Sequence, residues 1–313
     1  CSTLDWTPPS TFFGSNCHQD EPDMGLESRA VRRAPLALPI VACTSLLFLV
    51  TACTENGTPP QLESYAYPST STVTRCETGA RAGLTGATDG KVSVDGIRYM
   101  VRTPSNYDST FAHPLLMVYA PAGQSRWMSE RLTGLTTAAT GAGFVVVYTD
   151  HKQLNISTIE QLGAIPGLVA KEWCIDESRV SATGHSDGGT ASLMLAVIEK
   201  TKTVPATIAP SAAGVTDKDL EAYQCRAPIP VMIMHGKNDK LFPGWGAQTS
   251  AWWAGCNQCD VSKTKPLEGG CRAYQGCASG GTTLYCEGAG SHRDWPNLNR
   301  VMLEFFTHPE KFQ

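Results

Sequence analysis

Nothing in this 313-residue chain is strongly basic. Lys and Arg number 25 against 29 Asp and Glu, and the net charge is −4. No run or stripe of basic residues occurs, which excludes the usual electrostatic footprint of a nucleic-acid binder. No internal repeat is present, which excludes solenoids and propellers. Only 17% of the residues are charged, while 42% are hydrophobic. That composition is ordinary for a folded chain with a sizeable core.

The N-terminal quarter reads differently from the rest. Residues 1–23 show no apolar period and are read as an extension upstream of the true start. From Met24 the order changes to Arg29, Arg32 and Arg33, then a long apolar run, then small residues. That is the region order of a signal peptide, over 24–52. Val50-Thr51-Ala52-Cys53 resembles a bacterial lipobox, which implies cleavage before Cys53 and a lipid on its sulfur. An uncleaved membrane anchor over 34–52 is the competing reading, since about 20 apolar residues span a bilayer. Pro35, Pro39 and the closing cysteine favour the lipoprotein. Residues 54–75 are polar and rich in Pro, Ser and Thr, as expected of a tether. The folded domain is expected over 76–313. These readings place it outside the cytoplasm, tethered to a membrane through the lipid or secreted.

Cysteine usage agrees with export. Past Cys53 come Cys76, Cys174, Cys225, Cys256, Cys259, Cys271, Cys277 and Cys286. An even set in an oxidising compartment predicts disulfides. Their connectivity stays open. Zinc or redox chemistry at Cys256-x2-Cys259 is the weaker alternative, because exported thiols tend to oxidise and the motif lies late in the chain.

Within the domain, apolar runs alternate with helical periods. Strands are expected at 97–104, 114–120, 144–150, 179–184, 205–212, 228–236 and 282–288. Helices are expected at 128–143, 157–173, 188–200 and 298–308, with Pro166 disturbing the second. Residues 256–286 are Gly- and Cys-rich without a clear period and read as a stapled loop. Alternation of this kind predicts an α/β fold, a mostly parallel sheet with helices on both faces.

In such sheets ligands bind at the C-terminal ends of the strands. Three strand ends carry reactive polar residues. The first is Ser186, in Gly184-His185-Ser186-Asp187-Gly188, between a strand and a helix. That is the setting of a nucleophile elbow, with glycines where the turn is crowded. The competing reading is a serine that only caps the helix. The second is Asp239, just past the strand at 228–236, where a carboxylate can orient a histidine. A turn aspartate is its competitor. The third is His292, in the Gly-rich loop after the last strand. His151, at the end of the 144–150 strand, is its strongest rival. His185 is expected to point away across the elbow, His235 to order the Asp239 loop, and Asp294 to cap the last helix. The chain order Ser186, Asp239, His292 is that of an α/β-hydrolase.

Three segments carry a family resemblance: "DESRVSATGHSDGG", "IPVMIMHGKNDKLFP" and "GAGSHRDWP". The cysteine-bearing "CRAPIPVMIMHG" and "WWAGC" add to it. Residues 90–306 resemble the secreted polyhydroxybutyrate depolymerase and feruloyl esterase family of α/β-hydrolases. The resemblance implies a catalytic Ser186, Asp239 and His292. It also implies an oxyanion loop at "VYAPAGQSRW", where Ala120-Pro121 stands in place of the family's His-Gly. Proline has no N–H, so the donor falls to Ala122, with Gly123 the lesser choice. The second donor is the N–H of Asp187.

The chemistry so assembled is ester hydrolysis through an acyl-enzyme, which needs no metal or organic cofactor. The expected partner is an ester, small or polymeric, and the expected state a monomer. Trp127, Trp245 and Trp295 lie near the three loops and are candidates to line the substrate site. Trp252 and Trp253 are expected to pack. Feruloyl esters, short acyl esters and polyester oligomers all fit. A peptidase of the prolyl-oligopeptidase type shares the triad order, but the chain has no room for its propeller. A surface lipoprotein without activity would be expected to have lost a triad member.

Overall fold

The computed structural model describes residues 60–68 and 74–313. The signal peptide, the lipobox and Cys53 lie outside the described residues. Among the described residues no helix is long and apolar enough to cross a membrane.

Apolar runs form the middle of a ten-stranded sheet. Its strands in chain order are β1 (Ala87–Val92), β2 (Arg98–Arg102), β3 (His113–Tyr119), β4 (Val145–Thr149), β5 (Ile175–His185), β6 (Thr207–Ser211), β7 (Val231–Gly236), β8 (Asp260–Pro266), β9 (Cys271–Gln275) and β10 (Thr283–Gly288). The spatial order is β1-β2-β4-β3-β5-β6-β7-β10-β9-β8. Strands β4, β3, β5, β6, β7 and β10 run parallel. Antiparallel strands close both edges.

Parallel strands need crossovers, and helices supply them. These are α1 (Arg126–Thr133), α2 (Thr136–Gly141), α3 (Ile156–Glu172), α4 (Asp187–Leu195), α5 (Asp217–Leu220), α6 (Trp245–Cys256) and α7 (Asn299–Thr307). Alternate strand residues face opposite layers. Leu115, Met117, Val147, Ala182 and Ile233 pack with α3, α4 and α6. Leu116, Val118, Val146, Ala209 and Met234 pack with α2 and α7. Both faces are therefore covered, which explains why the central strands read as unbroken apolar runs.

Three expectations change. The helix expected at 128–143 is two helices, because Gly134 takes a left-handed conformation (φ +57°) and caps α1. Helix α3 runs through Pro166 without a break. Its buried Leu162, Ile165 and Val169 hold it by packing, which outweighs one missing N–H. The loop expected over 256–286 contains β8 and β9. Strand β8 is an exposed edge that carries Lys263, Lys265 and Pro266, so it has no apolar alternation to read.

Residues 60–68, part of the tether by composition, lie along the domain. Thr137 Oγ1 donates to the Gln61 carbonyl at 2.8 Å, and Glu63 N donates to Thr140 Oγ1 at 3.0 Å. Tyr65 and Asn106 exchange two bonds of 2.8 Å. The Tyr67 ring packs edge-on against Phe111 at 4.9 Å. Two tyrosines have apolar surface to bury, which a purely polar tether does not.

All eight domain cysteines pair: Cys76–Cys174, Cys225–Cys256, Cys259–Cys277 and Cys271–Cys286. Cys256 and Cys259 bond to different partners, which leaves neither a zinc thiolate nor a Cys-x-x-Cys redox pair there.

Candidate active site

The site is built at the end of β5. Its last residue is His185, and α4 begins at Asp187. Ser186 between them has φ +55° and ψ −119°, a backbone that a non-glycine residue adopts at a cost. The glycines around it are obligatory. A Cβ on Gly188 would sit 2.0 Å from the Tyr119 carbonyl oxygen, one on Gly189 2.3 Å from that of Ser211, and one on Gly184 2.5 Å from Gly188 main chain. The turn is pinned by Ser186 N donating to the Ser211 carbonyl at 3.0 Å. Ser186 occupies the N-cap position of α4, but its side chain makes no capping bond. That removes the capping reading and leaves Oγ for another partner.

The partner is His292. The Ser186 hydroxyl lies 2.9 Å from His292 Nε2. His292 Nδ1 lies 2.8 Å from Asp239 Oδ2. A carboxylate only accepts, so Nδ1 carries the ring proton and Nε2 is free to accept from Ser186. Asp239 Oδ1 accepts from the N–H groups of Leu241 and Phe242, both at 2.9 Å. Burial pushes the Asp239 carboxyl up, but the Phe242 N–H, the His292 ring and the Leu241 N–H outweigh it and hold it below the usual carboxylate range.

The loop that carries His292 is held from several sides. Asn238 N donates to the Gly290 carbonyl at 3.0 Å. A Cβ on Gly236 would sit 2.3 Å from the same oxygen, so the two loops touch main chain to main chain. Asp294 accepts from Ser291 N and Ser291 Oγ at 2.7 Å each. Asp294 therefore closes the histidine turn and does not cap α7, which starts five residues on, at Asn299. His185 also departs from expectation. Its Nε2 donates to the His292 carbonyl at 2.6 Å, and its ring stands 5.6 Å from the His292 ring. Strand alternation places it on the side of Thr183, which faces Met302 of α7, and the histidine loop lies on that side. His235 behaves as read: Nε2 donates to the Phe242 carbonyl at 2.9 Å and so orders the Asp239 loop. His151 is not in the triad; its ring meets Asp187.

The two main-chain candidates, Ala122 and Asp187, follow the ends of two paired strands, β3 and β5. Tyr119 at the end of β3 pairs with Gly184 of β5. The turn that follows β3 closes with Gln124 N donating to the Pro121 carbonyl at 3.0 Å. Ala122 and Gly123 are its central residues, and Gly123 has φ +68°, as a type II turn requires. The tryptophans divide. Trp245 stacks on Phe242 at 4.6 Å, and Phe242 meets the His292 ring edge-on at 4.8 Å. Trp295 lies 6.3 Å from His185 and lines a cleft of about 280 Å³ with Ser211, Ala212, Pro296 and Leu298. Trp127 is half-exposed between the guanidinium groups of Arg102 and Arg126. Trp253 is buried with Trp252 edge-on to it, as expected of packing residues. Phe242 was missed in the sequence, although it sits three residues past Asp239.

Known structures share this architecture. A truncated carbohydrate esterase from gut microbiota matches with a TM-score of 0.53 at 13% identity, over 72% of this chain and 97% of that one. Acetyl xylan esterase from Aspergillus awamori matches with a TM-score of 0.53 at 15% identity, over 71% of this chain and 99% of that one. The fold is that of an α/β-hydrolase. No protein-family model matches the chain. On this fold, the hydrogen-bonded serine, histidine and aspartate form the arrangement of a serine hydrolase.

The buried histidines set an acid limit on the protein's stability. Burial lowers the pKa of His113, His185 and His235, against partial compensation from their hydrogen bonds. The unfolded chain takes up these protons at about 6.5, and the folded chain resists them. Stability is therefore full above about pH 6.5 and is lost as pH falls through the lowered folded values. The carboxylate contribution of Asp239, also lowered, is lost only below about pH 4. Urea midpoints at pH 7.5 and 5.5 should differ, with the lower midpoint at 5.5; equal midpoints contradict this.

Proposed function

We propose that the protein is an exported serine esterase that hydrolyses carboxylic esters through an acyl-enzyme on Ser186. The observation that carries the reading is the unbroken chain from Ser186 Oγ through His292 to Asp239, with the serine hydroxyl unused as a cap. His292 takes the hydroxyl proton as Ser186 attacks the carbonyl carbon. Asp239 holds the ring tautomer and steadies the imidazolium that forms. The N–H groups of Ala122 and Asp187 receive the developing oxyanion, each contributing on the order of 3 kcal/mol. His292 then gives its proton to the leaving alcohol. Water, deprotonated by the same nitrogen, releases the acid and restores Ser186.

The substrate is assigned to feruloyl esters or polyester oligomers. The motif resemblance supports this class. So does the partly exposed Trp245, which stacks on the buried Phe242 beside His292. Trp295, beside His185, and Trp127 are assigned to the same substrate site on their nearness in sequence to the three loops. Anchoring through a lipid on Cys53 belongs to the same proposal.

The test is turnover of p-nitrophenyl acetate and butyrate, followed by methyl ferulate against hydroxybutyrate oligomers. The expected result is hydrolysis of the activated esters and a clear preference for one natural class. A folded protein that turns over none of these esters overturns the reading.

A further inference from the structure

One histidine with no place in the triad sits against the oxyanion side of the site. His151 follows β4, next to Asp150. Its main-chain N–H donates to the Gln124 carbonyl at 2.9 Å, on the turn that carries Ala122. Its ring Nε2 lies 2.9 Å from Asp187 Oδ2. A carboxylate only accepts, so Nε2 carries a proton and donates to it. Both side chains are more than four-fifths buried, at 17% and 19% exposure. Asp150 braces the same turn, accepting from the Arg126 N–H at 2.8 Å and from its guanidinium at 3.0 and 3.1 Å. One residue thus touches both segments that supply oxyanion donors, the turn by its main chain and the elbow by its ring.

Asp187 presents a conflict that this contact resolves. In the proposed mechanism its N–H receives a negative oxygen. Its own carboxylate, one side-chain length away, repels that oxygen. Beside side chains as buried as these, such repulsion is screened less than in bulk water. A donor that holds the carboxylate toward β4 and spreads its charge reduces the repulsion. We propose that His151 is a positioning residue that holds the Asp187 carboxylate away from the oxyanion. This rests on the reading of Ser186 as nucleophile with the Asp187 N–H as donor.

The test is kcat and KM for p-nitrophenyl acetate in the full chain, with thermal midpoints, for wild type, Ser186→Ala, His151→Ala and His151→Ala/Asp187→Asn. His151→Ala should lower kcat about 30-fold, less than the loss of a whole oxyanion donor, with KM within about twofold. Adding Asp187→Asn removes the unheld charge and should restore about tenfold of that loss. A purely structural role would lower the midpoint and would not be repaired by a second substitution. If His151→Ala does not fold, His151→Phe, which fills the ring volume without a donor, carries the same expectation. Unchanged kcat in the single variant, or a double variant no faster than the single, overturns the inference. Equal rates for wild type and Ser186→Ala overturn the serine-esterase reading itself, and the inference with it.

Discussion

Ser186→Ala should lower kcat by about 10⁶-fold and leave the fold intact. The size of the effect follows from the site working as one unit. Without Oγ there is no nucleophile, and His292 and Asp239 have no proton to move. What remains is stabilisation of the oxyanion for attack by water, which accounts for a residual rate about 10³-fold or more above the uncatalysed one. The fold is spared for a local reason. The Ser186 side chain makes no capping bond to α4, so its loss removes no helix contact. The positive φ of +55° is borne equally by serine and alanine, both with a Cβ. Wild-type and variant thermal midpoints should agree, while p-nitrophenyl butyrate turnover collapses. A variant within tenfold of wild type contradicts the assignment.

Gly188→Ala should destabilise the protein by more than about 3 kcal/mol. The added Cβ meets main chain, not a side chain that can turn aside. It would lie 2.0 Å from the Tyr119 carbonyl oxygen and 2.6 Å from the carbonyl carbon. Relief requires β3 and the elbow to part, and β3 pairs with β5 through Tyr119 and Gly184. Such a shift would also move the turn that bears Ala122. Gly167→Ala is the internal comparison. Gly167 lies within α3 and nothing stands within 4 Å of its Cβ position. That substitution should stabilise by about 0.5–1 kcal/mol through helix propensity. Thermal or urea midpoints check both, and a Gly188→Ala variant as stable as wild type contradicts the packing described.

The triad could be read from the sequence because each member follows a buried strand. Unbroken apolar runs such as "PLLMVYA" and "PVMIMHG" locate strand ends, and the chemistry lies one to four residues beyond them. Features set by tertiary proximity could not be read this way. Cys76 pairs across 98 residues with Cys174, and no local pattern selects that partner from seven. Strand β8 escaped because an exposed edge carries no apolar alternation. The role of Asp294 was misplaced by distance along the chain. It stands near the final helix in sequence, yet its carboxylate turns back to Ser291. His185 was misplaced by treating it as part of the turn. As the last residue of β5 it obeys strand alternation, and that rule points it at the histidine loop. The contact between His151 and Asp187 joins two strand ends 36 residues apart, and sheet order alone brings them together.

The central claim is that Ser186 attacks the ester and carries the acyl group. Treating the folded protein with a fluorophosphonate and mapping the adduct by mass spectrometry tests it most directly. The account predicts a single phosphonyl group on Ser186, and none when the same reagent meets Ser186→Ala. An adduct on another residue with Ser186 unmodified, or no adduct on a folded wild-type protein, would contradict it.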